Sequence, residues 1–313
     1  MTRIDLHCHV FPANYRNQLP PNVKPPPPEA ELLAYMDVWG IDAAVLSSGG
    51  PLVGERPAPE LSRLINEGYA ELVRTHPSRF GALACMPLPN VDAALTELEH
   101  ALDTLGLNGV LLLSNYQGIY LGDPRLDPFF EELERRGAYC FVHPDFPPTW
   151  PLAGHPGRWY EFPFDTTRAL VNLALSGTLD RCPSVRLQWA HLGGTVPFIA
   201  NRIHNQAAVM PDRTARMSAG MREYFARQYY DTAQADSYGN LIAALGIAPI
   251  EHIVFGTDWP YVHVPEHGSD PQPALGIFGL ARPRVDGANA RALVPRLCER
   301  VDRAERVRRA PRK

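Results

Sequence analysis

The feature that most constrains the fold is a repeated alternation of short β-type runs with helical segments along the chain. Eight β-type runs of four to eight residues are each followed by a stretch in which apolar residues recur with helical spacing. Eight such units predict an α/β fold, a parallel sheet with crossover helices closed as a (β/α)8 TIM-type barrel. An open doubly wound sheet is the main alternative, but even spacing favours closure and no Gly-x-Gly-x-x-Gly follows an early strand. The predicted strands cover 3–10, 43–48, 80–86, 109–115, 139–143, 186–191, 229–232 and 253–257, and the predicted helices cover 29–39, 59–75, 91–105, 124–136, 165–179, 196–209, 236–245 and 289–300.

We predict one barrel domain over residues 1–300, with loop insertions at 11–28 and 146–164 and a frayed basic tail at 301–313. Both insertions follow the C-terminal ends of predicted strands, where TIM barrels hold their catalytic residues. The second insertion is rich in proline and aromatic residues, which favours a stiff wall or lid over the pocket. The alternative is an irregular surface loop that packs on itself.

Composition excludes several classes of function. The net charge is −4, so no general basic surface invites nucleic acid or an anionic membrane. Five cysteines without a Cys-x-x-Cys pair indicate reduced thiols rather than a disulfide framework. No apolar run approaches the roughly 18 residues that a membrane helix needs, and no signal peptide precedes the first predicted strand. We therefore expect a soluble, cytoplasmic protein.

The stretch Asp5-Leu6-His7-Cys8-His9 places two histidines on the first predicted strand. Apolar residues alternate with polar ones there, and this period of two puts His7 and His9 on the same face, about 7 Å apart along the strand. Two imidazoles at that distance can share one metal ion, whereas a buried pair without a partner is costly.

Three further strands end in side chains that bind metals or transfer protons. His143 ends the fifth predicted strand, His191 the sixth and Asp258 the eighth. A single histidine in an apolar run is more often a satisfied core residue. In a closed parallel barrel, however, all these ends meet on one face, and burying so many ionisable groups there is costly without a metal. We predict a metal site formed by His7, His9, His143 and Asp258, with Zn²⁺ as the preferred ion and Mn²⁺ as the alternative.

These residues carry a resemblance to a known family. His7-Cys8-His9, His143, His191 and Gly256-Thr257-Asp258-Trp259-Pro260 together resemble the amidohydrolase superfamily. The chain is similar to its branch of metal-dependent decarboxylases, whose members act on aminocarboxymuconate semialdehyde, γ-resorcylate or 6-methylsalicylate. The motifs that look most like the 6-methylsalicylate type are Met86-Pro87-Leu88-Pro89, Asn115-Tyr116, Tyr120-Leu121-Gly122-Asp123-Pro124 and Asn289-Ala290-Arg291.

The resemblance implies non-oxidative decarboxylation of an aromatic carboxylic acid, such as 6-methylsalicylate or another hydroxybenzoate, with release of CO₂. Many relatives with two metals bridge them through a carboxylated lysine on the fourth strand. This chain has only Lys24 and Lys313, neither of them on that strand, so we expect a single metal. Asp258 would protonate the ring carbon. His191 would orient Asp258, bind the carboxylate or activate a metal-bound water, and the sequence leaves these roles open.

The resemblance also implies how the substrate is held. Arg202 matches an arginine that, in the semialdehyde decarboxylases, reaches the neighbouring subunit's site and holds a carboxylate. A surface ion pair is the alternative for Arg202, and we expect a homodimer or homotetramer. The arginine that those enzymes carry before the first helix is absent here, which favours a monocarboxylate substrate. The aromatic residues that are candidates to stack on the ring, with core packing as the alternative, are Phe11, Tyr116, Phe146, Trp150 and Trp259.

Two other functions use the same residues. A mononuclear hydrolase of an amide or lactone would hold its metal with the same ligands and use Asp258 as the general base. A metal-binding barrel without catalysis is the third interpretation. Turnover of hydroxybenzoates, compared with turnover of lactones and anilides, separates these functions.

Overall fold

The computed structural model describes residues 2–19, 24–48, 58–149, 156–262 and 270–309. Eight parallel strands in these ranges form one sheet, and each strand pairs with the next one along the chain. Leu6 N donates to Phe255 O at 3.0 Å and Asp258 N to His7 O at 2.7 Å, so the last strand also joins the first. The predicted TIM-type barrel is therefore confirmed. The strands are β1 (Ile4–His9), β2 (Ala43–Ser47), β3 (Phe80–Cys85), β4 (Gly109–Leu113), β5 (Tyr139–His143), β6 (Arg186–Trp189), β7 (Tyr229–Asp231) and β8 (Ile253–Val254).

Helices connect these strands and cover the outside of the barrel. Two of them, over Glu29–Trp39 and Pro59–Thr75, have the bounds that the sequence predicts, because each carries an apolar face at helical spacing and the second begins with a proline at its first position. A two-strand hairpin, Asn115–Tyr116 with Ile119–Tyr120, follows β4. The α-helices are α1 (Ala13–Arg16), α2 (Glu29–Trp39), α3 (Pro59–Thr75), α4 (Val91–Glu99), α5 (Asp127–Arg136), α6 (Glu161–Leu175), α7 (Thr178–Arg181), α8 (Val196–Ala208), α9 (Met221–Ala226), α10 (Tyr238–Leu245) and α11 (Pro295–Arg309).

The segments predicted as irregular contain more helix than expected. Helix α6 begins at Glu161, so the end of the 146–164 insertion is its first turn, and α1 lies inside the 11–28 insertion. Helix α11 continues to Arg309, well past the boundary predicted at residue 300. Val301 is buried against the barrel, and this contact keeps the start of the predicted tail helical.

An apolar cluster fills the N-terminal end of the barrel, and α11 covers this end. Arg300, on this helix, donates to Phe80 O at 3.0 Å, which places α11 at the N-terminal end of β3. Strand side chains and helix side chains share the cluster, so this end of the barrel is a closed core. Its members are Ile4, Leu6, Ala43, Val45, Leu83, Leu111, Tyr139, Phe141, Ala190, Val254, Ala290, Leu293, Val294, Leu297, Cys298 and Val301.

Strand β1 does not alternate regularly. Its pairing with β2 shifts register between Asp5 and Cys8, and Leu6 belongs to the inner cluster while Cys8 packs outward with the helices. The Asp5 carboxylate accepts hydrogen bonds from His7 N at 3.0 Å and from Thr257 Oγ1 at 2.6 Å. This bulge re-aims the strand at the point where its histidines begin.

None of the helices in the described ranges combines the length and the apolar character that crossing a membrane requires. All five cysteines are buried and free, as their scattered positions predict.

Candidate metal centre

Four side chains at the C-terminal end of the barrel converge on one point. They are the predicted ligands His7 and His9 on β1, His143 at the end of β5, and Asp258 after β8, and their ligand atoms all lie within 4.8 Å of one another. His7 Nε2 lies 3.2 Å from His9 Nε2, and Asp258 Oδ1 lies 2.9 Å from His9 Nε2 and 3.3 Å from His7 Nε2. All four side chains are buried.

The outer nitrogen of each imidazole is fixed by an acceptor, which turns the inner nitrogen towards this point. His7 Nδ1 donates to Asp231 Oδ1 at 3.1 Å, and His143 Nδ1 donates to the carbonyl of Pro144 at 2.8 Å. His9 Nδ1 lies 3.0 Å from Ser47 Oγ. That oxygen accepts from His9, because it donates its own proton to Cys8 O.

Three Nε2 atoms and one carboxylate are the donor set that Zn²⁺ and similar divalent ions prefer. An outer hydrogen bond on each imidazole is the arrangement that accompanies metal ligation in proteins. On these two observations the residues fit a divalent metal ion.

Asp231, at the end of β7, was not singled out from the sequence. Its Oδ1 accepts from His7, from His191 N at 3.1 Å and from Ala233 N at 3.2 Å. Its Oδ2 accepts from Gln188 Nε2 at 2.8 Å, and the oxygen of this amide accepts from Tyr139. The available signal was a carboxylate at the end of an otherwise apolar strand, the same signal that identified Asp258.

Burial and neighbouring charges shift the pKa values of the three histidines in different directions. Burial lowers the pKa of His9, and burial together with the charges of His9 and His7 holds the pKa of His143 well below its usual range. Burial also acts to lower the pKa of His7, but the charges of Asp231 and Asp258 outweigh it and raise this pKa to about 10. His9 and His143 are therefore neutral, which is the form that binds metals, whereas His7 carries a proton that it would release on binding a cation.

Burial acts to raise the pKa of Asp258, yet the charge of His7 and hydrogen bonds from the histidines hold it well below its usual range. Asp258 is therefore ionised, with one oxygen facing His7 and His9.

The second oxygen of Asp258 has its own neighbours. His191 Nε2 lies 3.5 Å from Asp258 Oδ2, and both of its ring nitrogens are buried. Gln234 donates from its side-chain amide to the same oxygen. The sequence predicted His191 at this place, but Gln234 carried no signal, since a glutamine in a turn after a strand is ordinary surface composition.

One of the predicted substrate-binding residues lies near the centre. The ring of Phe146 packs 4.9 Å from that of Phe162, and Phe162 packs 6.0 Å from His143. Phe162 was missed because it falls in the segment predicted as a loop, where nothing fixes its direction. Trp150 lies outside the described residues.

The other candidate aromatic residues have partners away from the histidines. Phe11 packs against Tyr15, with ring centroids 5.0 Å apart, and the Tyr116 hydroxyl accepts from Leu113 N at 3.1 Å. Trp259 is buried, with its ring 6.3 Å from that of Tyr35 on α2.

Three further residues lie at the mouth of the barrel or on its outer surface. Tyr261 lies with its ring 5.7 Å from that of His9, and the Arg158 guanidinium lies 6.0 Å over the Tyr261 ring. Arg202 is exposed on α8, on the outer surface of this chain.

Comparison with known proteins finds relatives of this chain in sequence and in structure. A model of the amidohydrolase family matches residues 4–296. The 6-methylsalicylic acid decarboxylase of Penicillium expansum is 30% identical over 327 residues, which cover 97% of this chain and 100% of that protein. The gamma-resorcylate decarboxylase of a Rhizobium species is 31% identical over 280 residues, covering 83% and 85%. A dihydroxybenzoic acid decarboxylase of a Polaromonas species, solved with manganese and the inhibitor 2-nitroresorcinol, matches with a TM-score of 0.77 at 22% identity and covers 94% of this chain and 97% of that one.

Proposed function

The chain belongs to the amidohydrolase family, and from this premise we propose that it is a metal-dependent carboxy-lyase that removes CO₂ from an aromatic carboxylic acid without an oxidant. The observation that carries the proposal is the convergence of three imidazole nitrogens and the Asp258 carboxylate at the mouth of the barrel. The relatives that span most of the chain, named for 6-methylsalicylic acid and gamma-resorcylate, support the reaction and the class of substrate.

The specific substrate we propose is a hydroxybenzoate such as 6-methylsalicylate. The 6-methylsalicylic acid decarboxylase covers nearly the whole chain, which supports this choice. The rings of Phe146 and Phe162, beside His143, offer an apolar surface on which an aromatic ring can stack.

We propose that His7, His9, His143 and Asp258 hold one divalent cation. The cation would supply positive charge for the substrate's carboxylate and its neighbouring hydroxyl group. Zn²⁺ suits this donor set, and Mn²⁺ is the alternative because it is bound in the related Polaromonas enzyme. The absence of lysine from β4 supports a single ion, since no carbamate bridge can form there.

The proposed reaction needs one proton at the ring carbon, and residues of this chain supply it. Asp258 would deliver a proton to the ring carbon that bears the carboxylate, and this carbon gains a C–H bond. The bond to the carboxylate then breaks, its electron pair returns to the ring and CO₂ leaves. Because the resting Asp258 is ionised, it must first gain the proton, and His191, 3.5 Å from Oδ2, is the titratable neighbour placed to pass it on.

We also propose that two or four copies of the chain assemble through the face formed by α8 and α10. Phe198 and Arg202 lie one helical turn apart on α8, and both are exposed. Tyr238, Ile242 and Leu245 on α10 are exposed as well. A second copy would cover this apolar face and would bring Arg202 towards another molecule's site.

The ligands come from residues 7 to 258, which supports one domain over 1–300 rather than two. The five free, buried thiols support a cytoplasmic location, because reducing compartments keep such thiols unpaired.

Incubation of the metal-loaded protein in D₂O with a panel of hydroxybenzoates tests the function. We expect CO₂ release and one deuterium on the carbon that carried the carboxylate, read by mass spectrometry and proton NMR, with one metal ion per chain by elemental analysis. Intact hydroxybenzoates together with hydrolysis of lactones or anilides would overturn the proposal in favour of the hydrolase. Two ions per chain would contradict the single-metal site.

A further inference from the structure

The two oxygens of the Asp258 carboxylate have different partners. Oδ1 faces His7 and His9, at 3.3 and 2.9 Å from their Nε2 atoms. Oδ2 accepts a hydrogen bond from the side-chain amide of Gln234. One carboxylate is thus held at both oxygens, and its outer oxygen depends on a residue that is not a metal ligand.

Gln234 has a left-handed backbone, with φ of 49°. Residues other than glycine adopt this region at a cost, and such outliers gather where a structure uses them. The described part of the chain has five non-glycine residues of this kind, Gln117, His191, Leu192, Gln234 and Asp258, and the last four adjoin the metal centre.

The turn that carries Gln234 is fixed to the same centre. Asp231, which holds His7, also accepts from Ala233 N at 3.2 Å, and Ala235 N donates to Thr232 O at 3.2 Å. The backbone on either side of Gln234 is therefore anchored, and the left-handed turn directs its side chain at Asp258.

The side chain of Gln234 is not part of the hydrophobic core. The residue is exposed, and the bond to Asp258 is the side-chain hydrogen bond that it makes within the described ranges. Ordering a long exposed glutamine side chain costs conformational entropy. The left-handed backbone of Gln234 and the ordering of its exposed side chain both cost free energy. Both features place the amide against the Asp258 carboxylate, and the stability of the fold does not require them.

We propose that Gln234 is a positioning residue for the reaction. Its amide fixes the rotation of the Asp258 carboxylate, so that one oxygen stays with the histidines while the other stays directed at the pocket. An amide donates a hydrogen bond without gaining or losing a proton, so it orients Asp258 and leaves proton transfer to Asp258 and His191. The inference rests on the proposed function, in which Asp258 delivers the proton.

Loss of this contact affects the chemical step rather than binding of the substrate. A carboxylate that rotates freely spends less time aligned with the ring carbon, and misplacement by about 1 Å costs on the order of 100-fold in rate. We expect kcat to fall roughly 10- to 100-fold, with KM within about twofold of the wild-type value, because the pocket walls are unchanged.

The chain offers a matched control in Gln117. This glutamine is also exposed and has φ of 54°, but it lies at the turn of the hairpin after β4 and is not one of the hydrogen-bond partners of Asp258 in the described residues. Gln234→Gly and Gln117→Gly relieve the same backbone strain, and Gln234→Leu and Gln117→Leu keep that strain while removing the amide. The two pairs separate the role of the amide from that of the turn.

The test measures kcat, KM, thermal midpoint and metal content of all four variants, and the visible absorption of each after loading with Co²⁺. We expect both Gln234 variants to lose kcat and to change the Co²⁺ spectrum, with metal content and thermal midpoint retained, while both Gln117 variants keep the wild-type kcat and spectrum. A Gln234→Leu protein with wild-type kcat and spectrum overturns the inference, as does an equal loss of kcat in the Gln117 variants. If the wild-type protein decarboxylates no aromatic acid, the proposed function fails, and the Co²⁺ spectrum still decides whether Gln234 holds Asp258.

Discussion

The two ends of the barrel differ in what fills them. At the N-terminal end the interior is apolar, with Leu6, Leu83 and Leu111 packed against Leu297 of α11. At the C-terminal end the barrel presents imidazoles and carboxylates from β1, β5, β7 and the segment after β8, and these are buried and joined by hydrogen bonds. A single strand spans both environments, since β5 supplies Phe141 to the core and His143 to the metal centre.

Backbone strain follows the same division. Four of the five described non-glycine residues with left-handed φ adjoin the metal centre, and the fifth, Gln117, lies in the hairpin after β4. The apolar end stabilises the fold through burial, and the polar end uses part of that stability to hold charged groups together. Substitutions at the two ends should therefore separate, with stability lost at one end and metal binding or turnover at the other.

The largest effect is expected for Asp258→Asn. The amide keeps the shape of the side chain but cannot deliver a proton, so we expect kcat to fall by about 10²- to 10⁴-fold. Steady-state assays on the metal-loaded variant measure this loss. Asp302→Asn, on α11 at the other end, removes a carboxylate that pairs with Arg291 and should leave kcat unchanged. Residual activity within tenfold of wild type in Asp258→Asn would exclude this residue as the proton donor.

Leu297→Ala tests the apolar end. The side chain is fully buried in the cluster that α11 seals, so its truncation leaves a cavity and should cost about 2–5 kcal/mol of unfolding free energy. Urea denaturation measures this loss, and kcat per folded molecule should stay at the wild-type value. A fall in kcat for the fully folded protein would show that the two ends are coupled.

The sequence predicted the convergence of four candidate ligands, His7 and His9 from the alternation in β1 and His143 and Asp258 because each ends an apolar run on a strand. His143 and Asp258 could be placed without a structure, since parallel strands of a closed barrel end on one face. Asp231 and Ser47 were not predicted, because their role depends on the direction of a neighbouring ring, which appears only once the strands are in register.

Two local features of the fold could also not be predicted from the sequence. The alternation in β1 predicts Leu6 and Cys8 on one face, but the bulge held by Asp5 separates them. The arginine-rich composition after residue 300 predicts a frayed tail, because charge pattern alone does not show that Val301 packs against the end of the barrel. In both cases a long-range contact outweighs the local pattern.

Asp231→Asn should have a smaller effect, confined to the metal end. Asparagine keeps only one acceptor oxygen, and its NH2 group then faces a hydrogen-bond donor. The negative charge beside His7 is also lost, so the His7 ring is held less firmly. Loss of such an outer partner typically costs 10- to 100-fold, about 1.4–2.8 kcal/mol, in metal affinity or activity. Metal titration against a competing chelator measures this change.

The control for Asp231 is another buried carboxylate, one that makes no hydrogen bond to His7, His9, His143 or Asp258 within the described residues. Asp165 on α6 accepts from Asn115 Nδ2 at 2.8 Å and from Ser114 and Tyr120. Asp165→Asn should lower the unfolding free energy and leave metal affinity unchanged. Equal losses of metal affinity in the two variants would mean that any buried carboxylate matters, and the outer contact to His7 would lose its special role.

The smallest effect is expected for Arg202→Ala. This variant tests whether a residue on the outer surface of the barrel takes part in substrate binding. Arg202 is exposed on α8 in a single chain, so its removal should leave stability and metal content unchanged. If a second copy brings Arg202 to the neighbouring site, KM for the carboxylate should rise several-fold, and the rise should depend on protein concentration around the dissociation constant of the assembly. Arg303→Ala, at an exposed position of α11, is the control and should change neither KM nor assembly. A wild-type KM in Arg202→Ala, with the assembly intact by analytical ultracentrifugation, would assign Arg202 to the surface and leave the substrate's carboxylate to groups within one barrel.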